Sequence, residues 1–209
     1  MSPRRSDSRE LMLRGASELL REYGAGATSI DRVLARTGAP RGSVYHHFPG
    51  GRAQLVEEAV TRSGDHMAKR IDAAMEGEDP VAAVDSFFAL WQERLTESGY
   101  RVGCPIVAVA AETNDEAPQL ARAAAAVFAR WQQALAAHFR RHGLPQERGT
   151  RLAAFVVAAL EGAVIMCRAE RTTAPLDAAA AELRELLTHA FHDRRGPADP
   201  RPVTTGDDS

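Results

Sequence analysis

Apolar positions along this chain recur at intervals of three and four and never alternate strictly, so the pattern predicts helices throughout and no strand. Met12, Ala16, Leu19, Leu20 and Tyr23 share one face of a helix over Ser8 to Tyr23, which Gly24-Ala-Gly26 ends. Two very short helices follow within Thr28 to Phe48, and a longer one runs from Gly51 to about Met75. Prolines then mark helix starts, since a first-turn residue needs no N–H. Pro80 opens a helix to about Leu95, Pro105 a short one ending near Asn114, and Pro118 a long one to His142. The last two span Glu147 to Glu170 and Pro175 to about Asp193. The expectation is an all-α fold of about nine helices: a head of three, a connector and a body of five. The head occupies residues 6–66 and the body 67–193. The proline-, glycine- and aspartate-rich stretch 194–209 is expected to be a disordered tail, and residues 1–7 to fray.

The two short helices carry the most specific pattern. Thr28 or Ser29 can cap the first, and Ile30, Val33 and Leu34 form its apolar stripe. Gly38 supplies a turn, because glycine takes positive φ without steric penalty. Pro40 fits the first turn of the second helix. Val44 and Phe48 then face inward, and Arg41, Gly42, Ser43, Tyr45, His46 and His47 face out. That is the layout of a helix-turn-helix, whose second helix can enter the DNA major groove. Arg41 can contact guanine bidentately, and the hydroxyls and imidazoles can donate to phosphates. From the residues alone, a helical hairpin with a solvated polar face fits as well.

The run Thr28-Ser-Ile, Val33, Gly38 and Arg41-Gly-Ser-Val-Tyr-His-His-Phe48 resembles the DNA-binding signature of the TetR family of bacterial transcriptional regulators. The resemblance implies that Arg41 and Gly42 approach bases. It implies that Ser43, Tyr45, His46 and His47 contact backbone or base edges, and that Thr28 or Ser29 binds phosphate at a helix N-terminus. One position departs from the pattern. Where the family places a phosphate-binding lysine, this chain has Gly51, followed by Arg52 after a loop one residue longer. That form, and Gly103-Cys-Pro-Ile-Val-Ala-Val-Ala-Ala-Glu112, resemble the branch of lincomycin-resistance and YxaF-type repressors of efflux genes. Arg52 is the expected substitute phosphate contact.

Charge and cysteine content add modest constraints. The net charge of −2 divides unevenly: residues 1–55 hold nine arginines against five acids, a net of +4, leaving −6 elsewhere. A basic head on an acidic body fits a DNA footprint at one end. One lysine against 25 arginines points to a GC-rich bacterial genome. Cys104 and Cys167 form no framework and are expected to be reduced cytosolic thiols. The first residues lack an apolar signal region. The apolar run Leu152 to Cys167 contains Glu161 and falls short of the roughly 20 residues of a membrane span. The expected location is therefore the cytoplasm, with no membrane contact.

In the body, two consecutive apolar helices predict a homodimer interface, with Val156, Leu160, Leu183, Leu187 and Phe191 at the joint. Most aromatics cluster in the body and predict a pocket for a hydrophobic inducer. Phe88, Trp91, Cys104, Val107, Glu112, Trp131, Phe155 and Glu161 are its candidate lining. No cofactor, metal site or enzyme motif is expected: adjacent His46 and His47 diverge, and His138 and His142 lack a third ligand nearby. The reading is a homodimeric repressor of efflux or resistance genes. It binds a pseudo-palindromic double-stranded operator and is released by a hydrophobic small molecule. An activator or ligand-insensitive regulator of the same fold remains open, as does a helical ligand-binding protein or enzyme without DNA binding.

Overall fold

The computed structural model describes residues 3–77, 79–112 and 117–192; the expected tail, 194–209, lies outside them. The described residues form nine α-helices and no strand. The head comprises α1 (Pro3–Tyr23), α2 (Ile30–Thr37) and α3 (Arg41–His47). The connector α4 (Gly51–Ala74) leads to α5 (Pro80–Glu97), α6 (Pro105–Glu112), α7 (Pro118–Arg141), α8 (Gln146–Glu170) and α9 (Ala174–His192). α1 starts five residues before the expected Ser8.

Local chemistry sets the boundaries. Ser29 is the N-cap of α2, its hydroxyl accepting from the Arg32 amide at 3.2 Å. Gly38 closes α2 in the left-handed region at φ 68, its N–H donating to the Leu34 carbonyl at 2.8 Å. Pro40, expected within the first turn of α3, is instead the extended residue before it. Asp79 caps α5, accepting from the Val81 amide at 2.9 Å, with Pro80 beginning the helix.

In the head, Met12, Leu20, Val33, Val44 and Phe48 are buried where α1, α2 and α3 meet α4. Tyr23 departs from its expected inward position; it is exposed, and the Arg32 guanidinium lies 4.5 Å from its ring centroid. α4 then runs without a break past the expected boundary at 66/67, so one helix belongs to both halves. It buries Leu55 and Ala59 toward the head, and Met67 and Ile71 toward the body. α7 crosses it at Gly64, where Trp131 Nε1 donates to the Gly64 carbonyl at 3.1 Å. α8 packs between α7 and α9. At 25 residues, with a stretch of mean hydropathy 1.9, α8 is long and apolar enough to cross a membrane by length and composition. It is longer than its apolar run suggested. Its faces toward α7 and α9 bury Ala153, Val157, Val164 and Cys167, the arrangement of a core bundle helix.

The crossing at Gly64 gives a stability test. A Cβ there would stand 2.5 and 2.6 Å from the Val127 γ-methyls. Gly64→Ala is expected to destabilise the fold by about 1–3 kcal/mol through overpacking. Thermal unfolding measures the loss, and pairing with Val127→Ala should recover most of it.

Candidate DNA-binding face and effector cavity

α3 presents a polar face because Val44 and Phe48 turn its apolar side into the head. Tyr45 is 63% exposed, and Arg41, Gly42 and His46 are also open to solvent; Ser43 and His47 are half-buried. The Arg41 guanidinium pairs with Asp31 of α2 at 2.5 Å, both side chains largely exposed. This pair holds the arginine over the turn and screens little charge from water. The Ser43 hydroxyl donates to the Pro40 carbonyl at 2.6 Å. A Cβ at Gly42 would meet nothing within 4 Å. No contact within the chain therefore explains a glycine in that helix.

Two basic-face expectations change. Ser29 caps α2 at the surface, but Thr28 is 1% exposed and donates to the Gly24 carbonyl at 2.8 Å. Burial removes Thr28 from phosphate reach. Arg52 turns inward across the longer loop. Its Nε donates to the Thr28 carbonyl at 2.7 Å, and its Nη2 to the Ala25 carbonyl. In this conformation Arg52 braces the α1–α2 loop.

The same loop is held from the body. Glu112, at the end of α6, accepts from the Ala25 amide at 3.0 Å and from the Gly26 amide. Arg168 of α8 donates to the Glu22 carbonyl at 3.3 Å, and the Gly103 amide donates to the Arg21 carbonyl at 2.9 Å. Glu112, expected as a ligand handle, is thus first a latch between body and head. It also lines a cleft of about 310 Å³ with Tyr23, Cys104, Val107, Glu161, Val164 and Arg168.

A second cavity, of about 30 Å³, lies deeper between α4, α5, α7 and α8. Phe87, Trp91, Trp131, Leu135, Val157 and Leu160 supply most of its wall, and Glu161 is its one charged side chain. Of the expected lining, Trp91, Trp131 and Glu161 meet here, and Cys104, Val107, Glu112 and Glu161 line the outer cleft. Phe88 is packed in the core and lines neither, whereas its neighbour Phe87 does. Phe155 is 53% exposed and points away from both. Phe87 was missed because Phe87 and Phe88 offer the same apolar signal, and only the rotation of α5 separates them.

Within the protomer, several residues of the expected dimer joint turn inward. Leu183 and Leu187 are buried between α9 and its own protomer, and Val156 and Leu160 line the inner cavity. Phe191 stacks edge-on against Phe139 at 5.8 Å. The apolar surface left open on α8 is a stripe about one position round: Phe155, Ala158, Ile165, Met166 and Ala169. Its spacing of three and four was visible in the sequence, but an apolar helix with two apolar faces does not say which one faces inward.

Both cysteines are buried and free. Among the described residues, no three His, Cys, Asp or Glu side chains gather as a metal site. His138 is buried, its ring 4.4 Å from that of His142. Burial, and then the His142 and Arg141 charges, lower its pKa to about 4. Glu161 shifts the other way: burial pushes its carboxyl up to about 7, and the Cys104 thiol hydrogen-bonds to it. The folded state therefore keeps a proton on Glu161 that the unfolded chain releases near the ordinary value of 4.5. Burial of Glu161 costs stability as pH rises through that window, and the cost is complete above about 7. Glu161→Gln lacks this slope. Melting temperatures taken from about pH 5 to about pH 8 should show the variant gaining on the wild type as pH rises. A constant difference would mean that Glu161 titrates normally.

Comparison with known proteins agrees with this geometry. The profile of bacterial regulatory proteins of the tetR family matches residues 12–59. That of the LmrA/YxaF-like transcriptional regulator C-terminal domain matches residues 80–182. HTH-type transcriptional regulator Rv0196 of Mycobacterium tuberculosis is 43% identical over 192 residues, covering 89% of this chain and 97% of that protein. YxaF of Bacillus subtilis is 31% identical over 173 residues, covering 82% and 91%. A TetR transcriptional regulator from Chloroflexus aurantiacus superposes with a TM-score of 0.75 at 27% identity, covering 90% and 97%. The chain belongs to the TetR family of bacterial transcriptional regulators, with a helix-turn-helix DNA-binding head and a body of the LmrA/YxaF-like kind.

Proposed function

We propose that this regulator is a cytoplasmic repressor, bound as a homodimer to a pseudo-palindromic operator and released by a hydrophobic small molecule entering the body. Its targets in this reading are efflux or resistance genes, as the branch resemblance implies. The observation that carries ligand response is the double duty of Glu112 and Arg168. Both line the outer cleft, and both hydrogen-bond to backbone at the end of α1 or just beyond it. A ligand in the cleft competes for the groups that seat the head. It shifts the population toward a DNA-incompetent state by as much as it prefers that state. Fluorescence anisotropy on the chain's own promoter region tests the reading. Tight, sequence-specific binding that a hydrophobic compound reverses is expected. Binding that no such compound reverses would leave a ligand-insensitive regulator.

Recognition in this reading rests on Arg41 at a base edge and on close backbone approach at Gly42. Ser29, Ser43, Tyr45, His46 and His47 serve as positioning contacts. For Arg52 to reach phosphate it must leave the Ala25 and Thr28 carbonyls. Glycine in a helix costs about 0.5–1 kcal/mol relative to alanine. Gly42→Ala is therefore expected to raise stability by up to that amount while weakening operator affinity. Unchanged affinity would show that the backbone there does not approach DNA.

DNA half-sites one turn apart lie about 34–36 Å from centre to centre, too far for one head. The open stripe of α8 is the surface suited to joining two protomers. Met166→Glu should give a folded monomer that loses tight operator binding, since an unpaired charge is not tolerated in an apolar interface. Leu187→Glu should unfold the protomer instead, because Leu187 is wholly buried. Light scattering and circular dichroism together separate the two outcomes.

A further inference from the structure

Resting on the reading of the body as an effector site, we propose that its ligand is a hydrophobic amine whose small ammonium head is anchored by the carboxyl of Glu161. Among the described residues, only Glu161 lines both the outer cleft and the inner chamber. It is 7% exposed, and its Oε2 is buried with no hydrogen-bond partner. That oxygen lacks a partner, and an ammonium group supplies one while holding the carboxyl in its ionised form. Among the described residues no cationic side chain lines the inner chamber, so an anionic group entering it would find only a carboxyl and apolar walls.

The chamber's other walls suit the same head group. Trp91, Trp131 and Phe87 bring three aromatic rings to one small space beside the carboxyl. The indole N–H of Trp131 is already committed to the Gly64 carbonyl, which leaves its ring as the part available to a ligand. Aromatic faces with a carboxylate attract an ammonium group through charge and ring quadrupole together. Size sets the rest of the ligand. The chamber's roughly 30 Å³ admits a group about as large as one water molecule. The outer cleft's roughly 310 Å³ takes a flat apolar body against Val107, Ala108, Ala111 and Val164. That body would lie beside Glu112 and Arg168, the two groups that hold the head.

The two tryptophans of the chain, Trp91 and Trp131, both line the chamber, so intrinsic fluorescence reports on it directly. Three matched probes decide the ligand class: naphthylmethylamine, naphthylmethanol and naphthoate, titrated into the full-length protein. The amine is expected to bind about tenfold or more tighter than the alcohol, with naphthoate weakest. Glu161→Gln should remove that preference by weakening the amine alone. Equal affinity for amine and alcohol in the wild type overturns the proposal, as does an amine affinity untouched by Glu161→Gln, or binding by none of the three. If Glu161→Gln does not fold, the wild-type ratio and Glu161→Asp decide. Operator anisotropy run beside the titration separates the two readings. Amine binding without DNA release would sink the released-repressor function and leave the anchor standing. DNA release by the alcohol as readily as by the amine would do the reverse.

Discussion

Everything in this molecule hangs on how closely α7 approaches α4. Gly64 has no side chain, Val127 fills the space, and Trp131 ties its indole to the Gly64 carbonyl. α4 buries residues in both halves, so this crossing fixes the direction in which it leaves the body. The arrangement has little slack. A packed interior responds to displacement by moving whole elements, because it has few voids to absorb strain. The α7 wall of the chamber and the path of α4 are therefore set by the same contact.

A second tie makes the head's position over-determined. Glu112 and Arg168 hold the end of α1 and the start of the α1–α2 loop from the body side, at a point separate from the connector's own start at Gly51. With α4 alone, the head could swing about one helix. With the latch as well, two attachments set its attitude. The inward Arg52 completes the scheme, since it braces from α4 the same loop that Glu112 holds from α6. A site that touches the latch, and shares a wall with a chamber beside α4, addresses both attachments at once.

The order and type of every helix were legible in the sequence, because prolines, glycines and three-four spacing punctuate the chain strongly. Nearly all boundaries fell within two residues; only the start of α1 lay further out, since Pro3 to Asp7 carry no apolar signal. The outward face of α3 was legible too, because Val44 and Phe48 fix the rotation of a short helix. The errors share one physical cause. α8 and α9 are rich in alanine and aliphatic residues on more than one face, so their rotation depends on tertiary packing that spacing does not encode. That is why Leu183 and Leu187 were placed at a surface and Phe155 in a pocket. The inward turn of Arg52 and the burial of Thr28 were hidden for a different reason. Their side chains satisfy backbone carbonyls of a loop, a demand visible only once the loop has a shape.

The latch has one further consequence, for the modularity of such regulators. Glu112 grips bare backbone: Gly24 sits at φ +85, and a Cβ there would strike the Glu112 carboxylate. At Gly26 it would stand 3.1 Å from the same group. The docking surface is thus specified by what two positions lack. A head with side chains at those two sites would push the Glu112 carboxylate off the backbone it grips, and at Gly24 the positive φ would strain the new side chain as well. Glu112, Gly24 and Gly26 work as one joint, so a chimeric sensor built across the head–body junction preserves the grip by carrying all three together.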